Sequence, residues 1–410
     1  MAVDPREGLH EFTQFKGLRN TVDARDFDPG DLEVALNVDI DDGLNVGRRY
    51  GFGTVVVAGV DRSLFAAGPI CLGVGSNALK QILPNYGTVT LRSGLTPGRD
   101  LSYSPVADRV YWSNGVELGC VHEGANRSWG LPVPALPASA STGGDLPDGT
   151  YQFTVTFIRS DGQESGAARA GTIALTAKGG IALSAIPVAE DATVVAKAVY
   201  VSTRNGSALF RAGLITNATT TFAIRELGDP AAPLQTQFLS APPAGECVGY
   251  FNGYMIVARE NRLYPSEAYA PELFDPRKAV PFLDRITMVA PLADGVWIGT
   301  DSEALWLSGA TPEQWQYVQR ADYGVIPGTA SYADGEFLGD GSAAGEETVY
   351  FATKRGICVG REGGRLMNLT ESRFAFPAQP VGAGVCRRHR GAIQYLCTLN
   401  GPETAANTFA

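Results

Sequence analysis

Apolar and polar residues alternate along this chain in runs of about four to eight positions, broken by glycine, proline and Asn/Asp turn residues. The runs are too short for amphipathic helices. Between residues 52 and 130 they predict strands at Thr54–Ala58, Ile70–Val74, Ala78–Leu83, Thr88–Arg92, Leu101–Ser104, Arg109–Ser113 and Leu118–His122. Short strands at such even spacing indicate a barrel, a sandwich or a propeller. The proline-spaced stretch from Leu131 to Gly144 then reads as an extended linker. Beyond it, Gly149–Phe157 alternates for one buried face and Arg159–Ser165 turns the chain. With Ile173–Leu175, Ile181–Leu183, Ala198–Ser202, Ser207–Arg211 and Thr220–Ile224 this makes about seven strands, the number in an immunoglobulin-like sandwich. A second linker, Ser240–Gly245, returns the chain to blade-like strands, and Asn252-Gly253 marks a tight hairpin.

A recurring phrase supports the blades. An aliphatic residue, an aromatic, two small or apolar residues and a threonine recur at Val199–Thr203, Val296–Thr300 and Val349–Thr353, and at Gln394–Thr398 with glutamine first; Val110–Ser113 and Leu263–Ser266 are looser copies. The last three aromatics, Trp297, Tyr350 and Tyr395, are spaced 53 and 45 residues apart, near the roughly 40–50 residue period of a propeller blade. The copy at Tyr200 falls inside the sandwich, so the phrase marks strands in general. The expected fold is all-β, a β-propeller with an inserted immunoglobulin/fibronectin-III-like β-sandwich. Its parts are an N-terminal arm and first strand (1–50), a first propeller portion (51–137), the sandwich (138–240) and a second propeller portion (241–410).

Composition agrees with a turn-rich β protein: Gly and Pro make up about 18% of the 410 residues, against a usual ~12%. The net charge of −10 argues against binding nucleic acid by phosphate neutralisation, which needs clustered Lys and Arg. An acidic channel would instead let a duplex slide past its wall. The six cysteines, with no C-x-x-C pair, read as reduced core residues. The N-terminus carries no apolar leader and no run is long enough to span a membrane, so a soluble product made in a cytoplasm is expected.

Catalytic signatures are sparse. No phosphate-binding loop occurs, Gly73-Val74-Gly75 lacks the third glycine of a dinucleotide site, and His10, His122 and His389 form no metal motif. Asp39, Asp41 and Asp42 have the wrong spacing for a calcium loop and read as a hairpin turn after Leu36–Ile40. Asp294, Asp301, Glu303 and Asp322 are the acids a propeller glycosidase would draw on, yet they read more simply as solvated loop residues. No catalytic residue, cofactor or metal site is expected. The most distinctive stretch is Leu263–Arg277, a strand followed by an aromatic- and proline-rich loop. Rigid aromatics on a stiff loop lose little entropy on docking, whereas the plainer reading folds the loop onto its own blade. Candidate subunit contacts are Tyr269, Pro271, Phe274, Pro276 and Arg277, with Phe12 and Phe15 from the arm.

This stretch and its continuation, Val280–Pro291 and Asp294–Asp301, resemble tail-nozzle and tail-hub proteins of short-tailed bacteriophages, including the packaged-DNA stabilisation proteins. Phe15–Asn20, Ala35–Ile40 and Gly47–Arg49 look like the start of such virion proteins, and Tyr323–Thr329 and Gly149–Ser165 fit too. The resemblance implies a hexameric homo-oligomeric ring in the virion tail, made in the host cytoplasm. It would lie below the portal or adaptor beside other tail proteins, with viral DNA retained and then passed through the lumen during ejection without sequence-specific binding. The chain is shorter than the larger nozzle members. The competing reading is a carbohydrate-binding or glycan-degrading propeller, either a tail-associated depolymerase or a lectin; a scaffold propeller has no WD-type signature to support it.

Overall fold

The computed structural model describes residues 14–40, 43–49, 57–335, 346–374, 380–389 and 392–400, which form strands and short 3-10 turns with no α-helix among them. The chain divides into two compact units, Gly59–Leu283 and Met1–Ala58 with Asp284–Ala410. Thr54–Val56 of the first expected strand lie outside the described residues, as do Asp41 and Asp42; Val38–Ile40 does pair with Val46–Arg48.

In the Gly59–Leu283 unit, Arg62–Ala67, Ile70–Gly75, Ala78–Ile82 and Thr88–Arg92 form one four-stranded antiparallel sheet. Ser102–Val106, Arg109–Ser113, Leu118–His122 and Ala125–Arg127 form a second. Cys247–Phe251, Tyr254–Arg259, Arg262–Glu267 and Ala270–Phe274 form a third, with Val280–Pro281 added beside its third strand. The other unit holds two more such sheets: Ile286–Leu292, Gly295–Thr300, Ala304–Ser308 and Gln316–Ala321, then Ser331–Asp334, Glu347–Thr353, Gly356–Gly360 and Leu366–Asn368. A long hairpin, Val381–His389 with Ala392–Asn400, follows. Every four-stranded sheet is an up-and-down meander of the propeller-blade kind, so the all-β blade-and-sandwich class stands.

The repeated phrase has a physical origin. Val110–Ser113, Val296–Thr300 and Val349–Thr353 lie in the second strand of their sheets, and Gln394–Thr398 in the second strand of the last hairpin. An interior strand is covered on both faces, which demands a continuous apolar run, and all six residues of Gly295–Thr300 are buried. The closing hydroxyl turns the chain. Thr300 Oγ1 donates to Glu303 O at 3.3 Å and accepts from Glu303 N at 3.0 Å; Thr353 Oγ1 donates to Gly356 O at 2.8 Å and accepts from Arg355 N at 3.2 Å; Ser113 Oγ reaches Glu117 O at 3.3 Å. A side chain that mimics a turn carbonyl suits this position. The aromatic fills the core: Trp297 packs 5.2 Å from Trp306 and 6.3 Å from Phe351, centroid to centroid, among Met288, Val349 and Cys358. Tyr264 lies instead in a third strand, and Tyr200 in the central strand of a sandwich sheet.

The sandwich sits in sequence between the second and third sheets. Ala138–Leu146, Gly179–Ser184 and Phe222–Ile224 form one layer; Gly171–Leu175, Gly149–Arg159, Val194–Ser202, Leu209–Thr216 and Asp229–Pro233 form the other. Tyr151, Phe153, Val155, Ile181, Leu183, Val199, Val201 and Ile224 interdigitate between them. The expected linker Leu131–Gly144 is therefore a linker only to Pro137, and Ala138 opens a nine-residue strand. Residues 138–143 are exposed on both faces at the sheet edge, so no apolar alternation marks them. Asp229–Pro233, also outside the expected set, carries prolines tolerated at an edge. The incoming and outgoing chains touch: a Cβ on Gly130 would lie 2.9 Å from Ala241 Cβ and from Pro242 Cδ. Asn252-Gly253 makes the expected hairpin, with φ of 47° and 88°.

The N-terminal segment folds onto its own unit. Asn20 N donates to Arg373 O and Thr21 Oγ1 to Ser372 O, each at 2.9 Å. Beside them the fully buried Asp31 carboxylate receives Arg19 Nη1 at 2.8 Å and Arg373 Nη2 at 2.6 Å. These partners, Arg19 first, hold its carboxyl down at about 2. A depressed carboxyl contributes stability in full above the ordinary value near 4 and loses it as the pH falls toward about 2. The Asp31→Asn protein is therefore expected to melt below the parent from pH 7 to 5, with the gap closing between pH ~4 and ~2. A gap unchanged across that range would remove this carboxylate from the account.

Candidate functional site

Within the Gly59–Leu283 unit, an ionic joint ties the sandwich to the second and third sheets. The Arg159–Ser165 turn carries Asp161 up to the second sheet, where Arg109 opens one strand and Arg127 closes another. Arg109 Nη2 and Arg127 Nη1 each lie 3.3 Å from Asp161 Oδ2. Arg109 Nη1 also donates to Glu272 Oε1 of the third sheet at 3.0 Å, and the buried Tyr111 hydroxyl donates to the same oxygen at 2.6 Å. Arg159, 1% exposed, reaches Ser128 O at 3.1 Å, Gln163 Oε1 at 2.6 Å and Asp191 Oδ2 at 3.5 Å, and the Ser128 hydroxyl donates to Asp191. Burial, reinforced by the Glu272 charge, pushes the Tyr111 phenol far up. Asp161 is held down in spite of its burial, by the Gln163 N–H and the charges of Arg127 and Arg109. Burial lifts the Cys120 thiol to about 11; all six cysteines are free thiols, but only Cys120 and Cys358 are buried in the core, while Cys71, Cys247, Cys386 and Cys397 are half-buried.

The Leu263–Arg277 stretch divides between inward and outward residues. Phe274 is 1% exposed; it meets Trp129 edge-on at 6.3 Å and exchanges both backbone hydrogen bonds with Ser240 at 2.9 Å. Its expected role as a subunit contact is thereby corrected, since a side chain spent on its own core cannot reach a neighbour. Pro271 is also turned to the joint, its carbonyl accepting from Trp129 Nε1 at 2.8 Å. Tyr269 behaves differently: it is 81% exposed, sits at φ 55°, and donates its N–H to Gly253 O at 2.8 Å, tying two hairpin tips together. Positive φ is uncommon outside glycine, so the tip is held by its context. Pro276 is exposed. Arg277 is exposed too, gripped by Asp275 through Nε at 2.9 Å and Nη2 at 2.7 Å, with its guanidinium 5.2 Å over the Phe238 ring. Phe238, about half exposed at φ 68°, joins this surface without any warning in the sequence beyond the neighbouring proline-rich linker. In the other unit Phe15 is half-buried, with its N–H on Leu44 O at 2.8 Å; Phe12 lies outside the described residues.

No protein family and no curated protein matches this chain. Solved structures do align with it, distantly. An auxiliary nutrient binding protein from Bacteroides thetaiotaomicron is 9% identical with a TM-score of 0.34, over 83% of this chain and 66% of that protein. AztD from Citrobacter koseri in its apo form is 12% identical with a TM-score of 0.28, over 81% and 90%.

The acids weighed for glycosidase chemistry are each engaged locally. Asp294 Oδ2 accepts from Gly363 N at 2.8 Å, Asp301 pairs with Arg285 at 3.0 Å, Glu303 accepts from Gln319 Nε2 at 3.1 Å, and Asp322 pairs with Arg355 at 3.2 Å. His122 Nε2 lies 2.8 Å from Asp108 Oδ2 on a neighbouring turn. His10 lies outside the described residues.

Proposed function

We propose that this chain is a structural protein of a short-tailed phage tail, a ring-forming nozzle or hub subunit through which DNA is retained and then released. The observation that carries the reading is the ionic joint. A sandwich inserted into a run of blades and clamped to two of them suits a subunit that must hold a fixed shape within a ring. The virion-like phrases of the sequence support the same reading, and so does the net charge of −10, which would keep a passing duplex from adhering. A closed ring needs two different patches on each subunit. The outward face of Tyr269, Pro276 and Arg277 is our choice for one.

The test is the oligomeric state. The purified chain, imaged by electron microscopy and sized by light scattering, should form closed rings of about six copies. Tyr269→Ala combined with Arg277→Ala should shift it to smaller species while leaving the melting temperature within a few degrees, as surface substitutions do. A chain that stays monomeric at high concentration, with and without its portal partner, would overturn the proposal.

A further inference from the structure

The apolar clusters of the Gly59–Leu283 unit divide where the chain enters and leaves the sandwich. Trp129 packs with Tyr111, Val257 and Phe274 of the second and third sheets, whereas Leu131, two positions on, packs with Phe157 and Val194 of the sandwich. On the way out, Leu234 packs on Ala198, Tyr200 and Leu209 of the sandwich, and Ser240 bonds the third sheet through Phe274. None of these clusters joins a sandwich strand to a sheet strand. Without a large apolar interface, relative motion of two domains is the default. The crossing points are Gly130–Leu131 on one chain and Leu239–Ser240 on the other. They run side by side, with Gly130 against Ala241 and Pro242. A cleft of about 380 Å³ keeps Thr236 and Leu239 apart from Ala270 and Leu273 of the third sheet.

We propose that the sandwich is a hinged arm, latched against the sheets through Asp161 and Asp191 and freed when acid discharges these two carboxylates. The proposal concerns a single chain and does not rest on the tail reading. The latch is incompletely satisfied: Arg127 Nε and Nη2, Arg159 Nε and Gln163 Nε2 are buried in the joint without a hydrogen-bond partner. A buried donor left unpaired offsets much of what its neighbours contribute, and opening the joint would give these donors to water. Clamped and free positions therefore lie close in free energy, as a switch requires. Asp161 faces Arg109, Arg127 and the more distant Arg159, and Asp191 faces Arg159. Around them, Glu272, Tyr111 and Asp108 share Arg109, and the Cys120 thiol neighbours Arg127. In the clamped position both carboxyls are held low in spite of burial, Asp161 by the Gln163 N–H and the Arg127 and Arg109 charges, Asp191 by Ser128, Thr193 and Arg159. A depressed carboxyl contributes in full above its ordinary value of about 4 and loses that contribution as the pH falls below it. Protonation would also leave Arg109, Arg127 and Arg159 crowded without these two balancing charges, and their repulsion favours opening.

Hydrogen exchange read by mass spectrometry, with small-angle X-ray scattering on the same samples of the full chain, tests this. In the Asp161→Asn, Asp191→Asn double variant at pH 7, residues 128–137, 160–165 and 234–242 should exchange about tenfold faster than in the parent. The segments around Tyr151, Ile181 and Val199 in the sandwich core should keep their protection, and the radius of gyration should rise. The parent, corrected for the intrinsic effect of pH on exchange, should show the same pattern below about pH 4 and not at pH 6. Unchanged exchange at the joint of the variant would overturn the proposal, since the carboxylates would then latch nothing. Faster exchange with an unchanged radius would overturn it as well, by reducing the effect to local fraying. So would loss of protection in the sandwich core together with the joint, because the domain would then be unfolding instead of swinging.

Discussion

Trp297→Ala should cost about 3–5 kcal/mol in urea unfolding, the usual range for a buried tryptophan truncation. The side chain is fully buried in the core cluster that also holds Met288, Trp306, Val349, Phe351 and Cys358. Its Nε1–H donates to Arg361 O at 3.2 Å, and a Cβ on Gly360 would stand 2.5 Å from that nitrogen. Truncation would therefore open a cavity and take the indole donor away from the Arg361 carbonyl. Since whole domains are stable by only about 5–15 kcal/mol, the variant should be poorly folded at 37 °C. Trp297→Phe should retain more of the stability because it leaves the smaller void. A loss below about 1 kcal/mol for the alanine variant would mean that the sheets collapse around the gap.

Arg159→Ala is the second large expectation. It removes the side chain that joins Ser128 O, Gln163 and Asp191, and leaves the Asp191 carboxylate, 17% exposed, without its nearest cation. Breaking a buried pair from one side costs about 3–5 kcal/mol. Exposure of Asp191 and the unpartnered Arg159 Nε place the effect at the lower end, about 3 kcal/mol. Arg159→Lys should recover little, because an ammonium cannot make the same forked contacts. Hydrogen exchange checks the location: residues 160–165 and 128–131 should lose protection first. Uniform loss across the sandwich would make Arg159 a core residue of that domain and not a part of the joint.

How much of this could be read from the sequence follows from where each residue points. Strands buried on one or both faces announced themselves, which is why Arg109–Ser113, Leu118–His122 and the hairpin at Asn252-Gly253 fell at their observed places. Ala138–Leu146 did not, because its first six residues, at a sheet edge and bare on both faces, need no apolar side chain. The phrase around Trp297 and Tyr350 was visible as a pattern, but its threonine acquires meaning only once its hydroxyl is seen to close the turn. Long-range partners were out of reach: nothing local links Arg109 to Glu272, 163 positions away, or Asp31 to Arg373. The candidate loop was found as a whole, yet the division between inward Phe274 and outward Tyr269 depends on which face of a short strand packs on Trp129. Phe238 and the cleft beside it gave no signal, since they arise where two distant segments meet.

The contact between Gly130 and Ala241–Pro242 has an evolutionary meaning. A domain whose two ends leave the host side by side is an interchangeable cassette: it can be lost, lengthened or replaced by an unrelated module without moving the sheets that flank it. The host side chains that bond it, Arg109, Arg127 and Ser128 among them, would have to be renegotiated at each exchange. Lineages descending from this chain should therefore diverge fastest between residues 138 and 233, and a comparison spanning the cassette would understate how closely their blades are related.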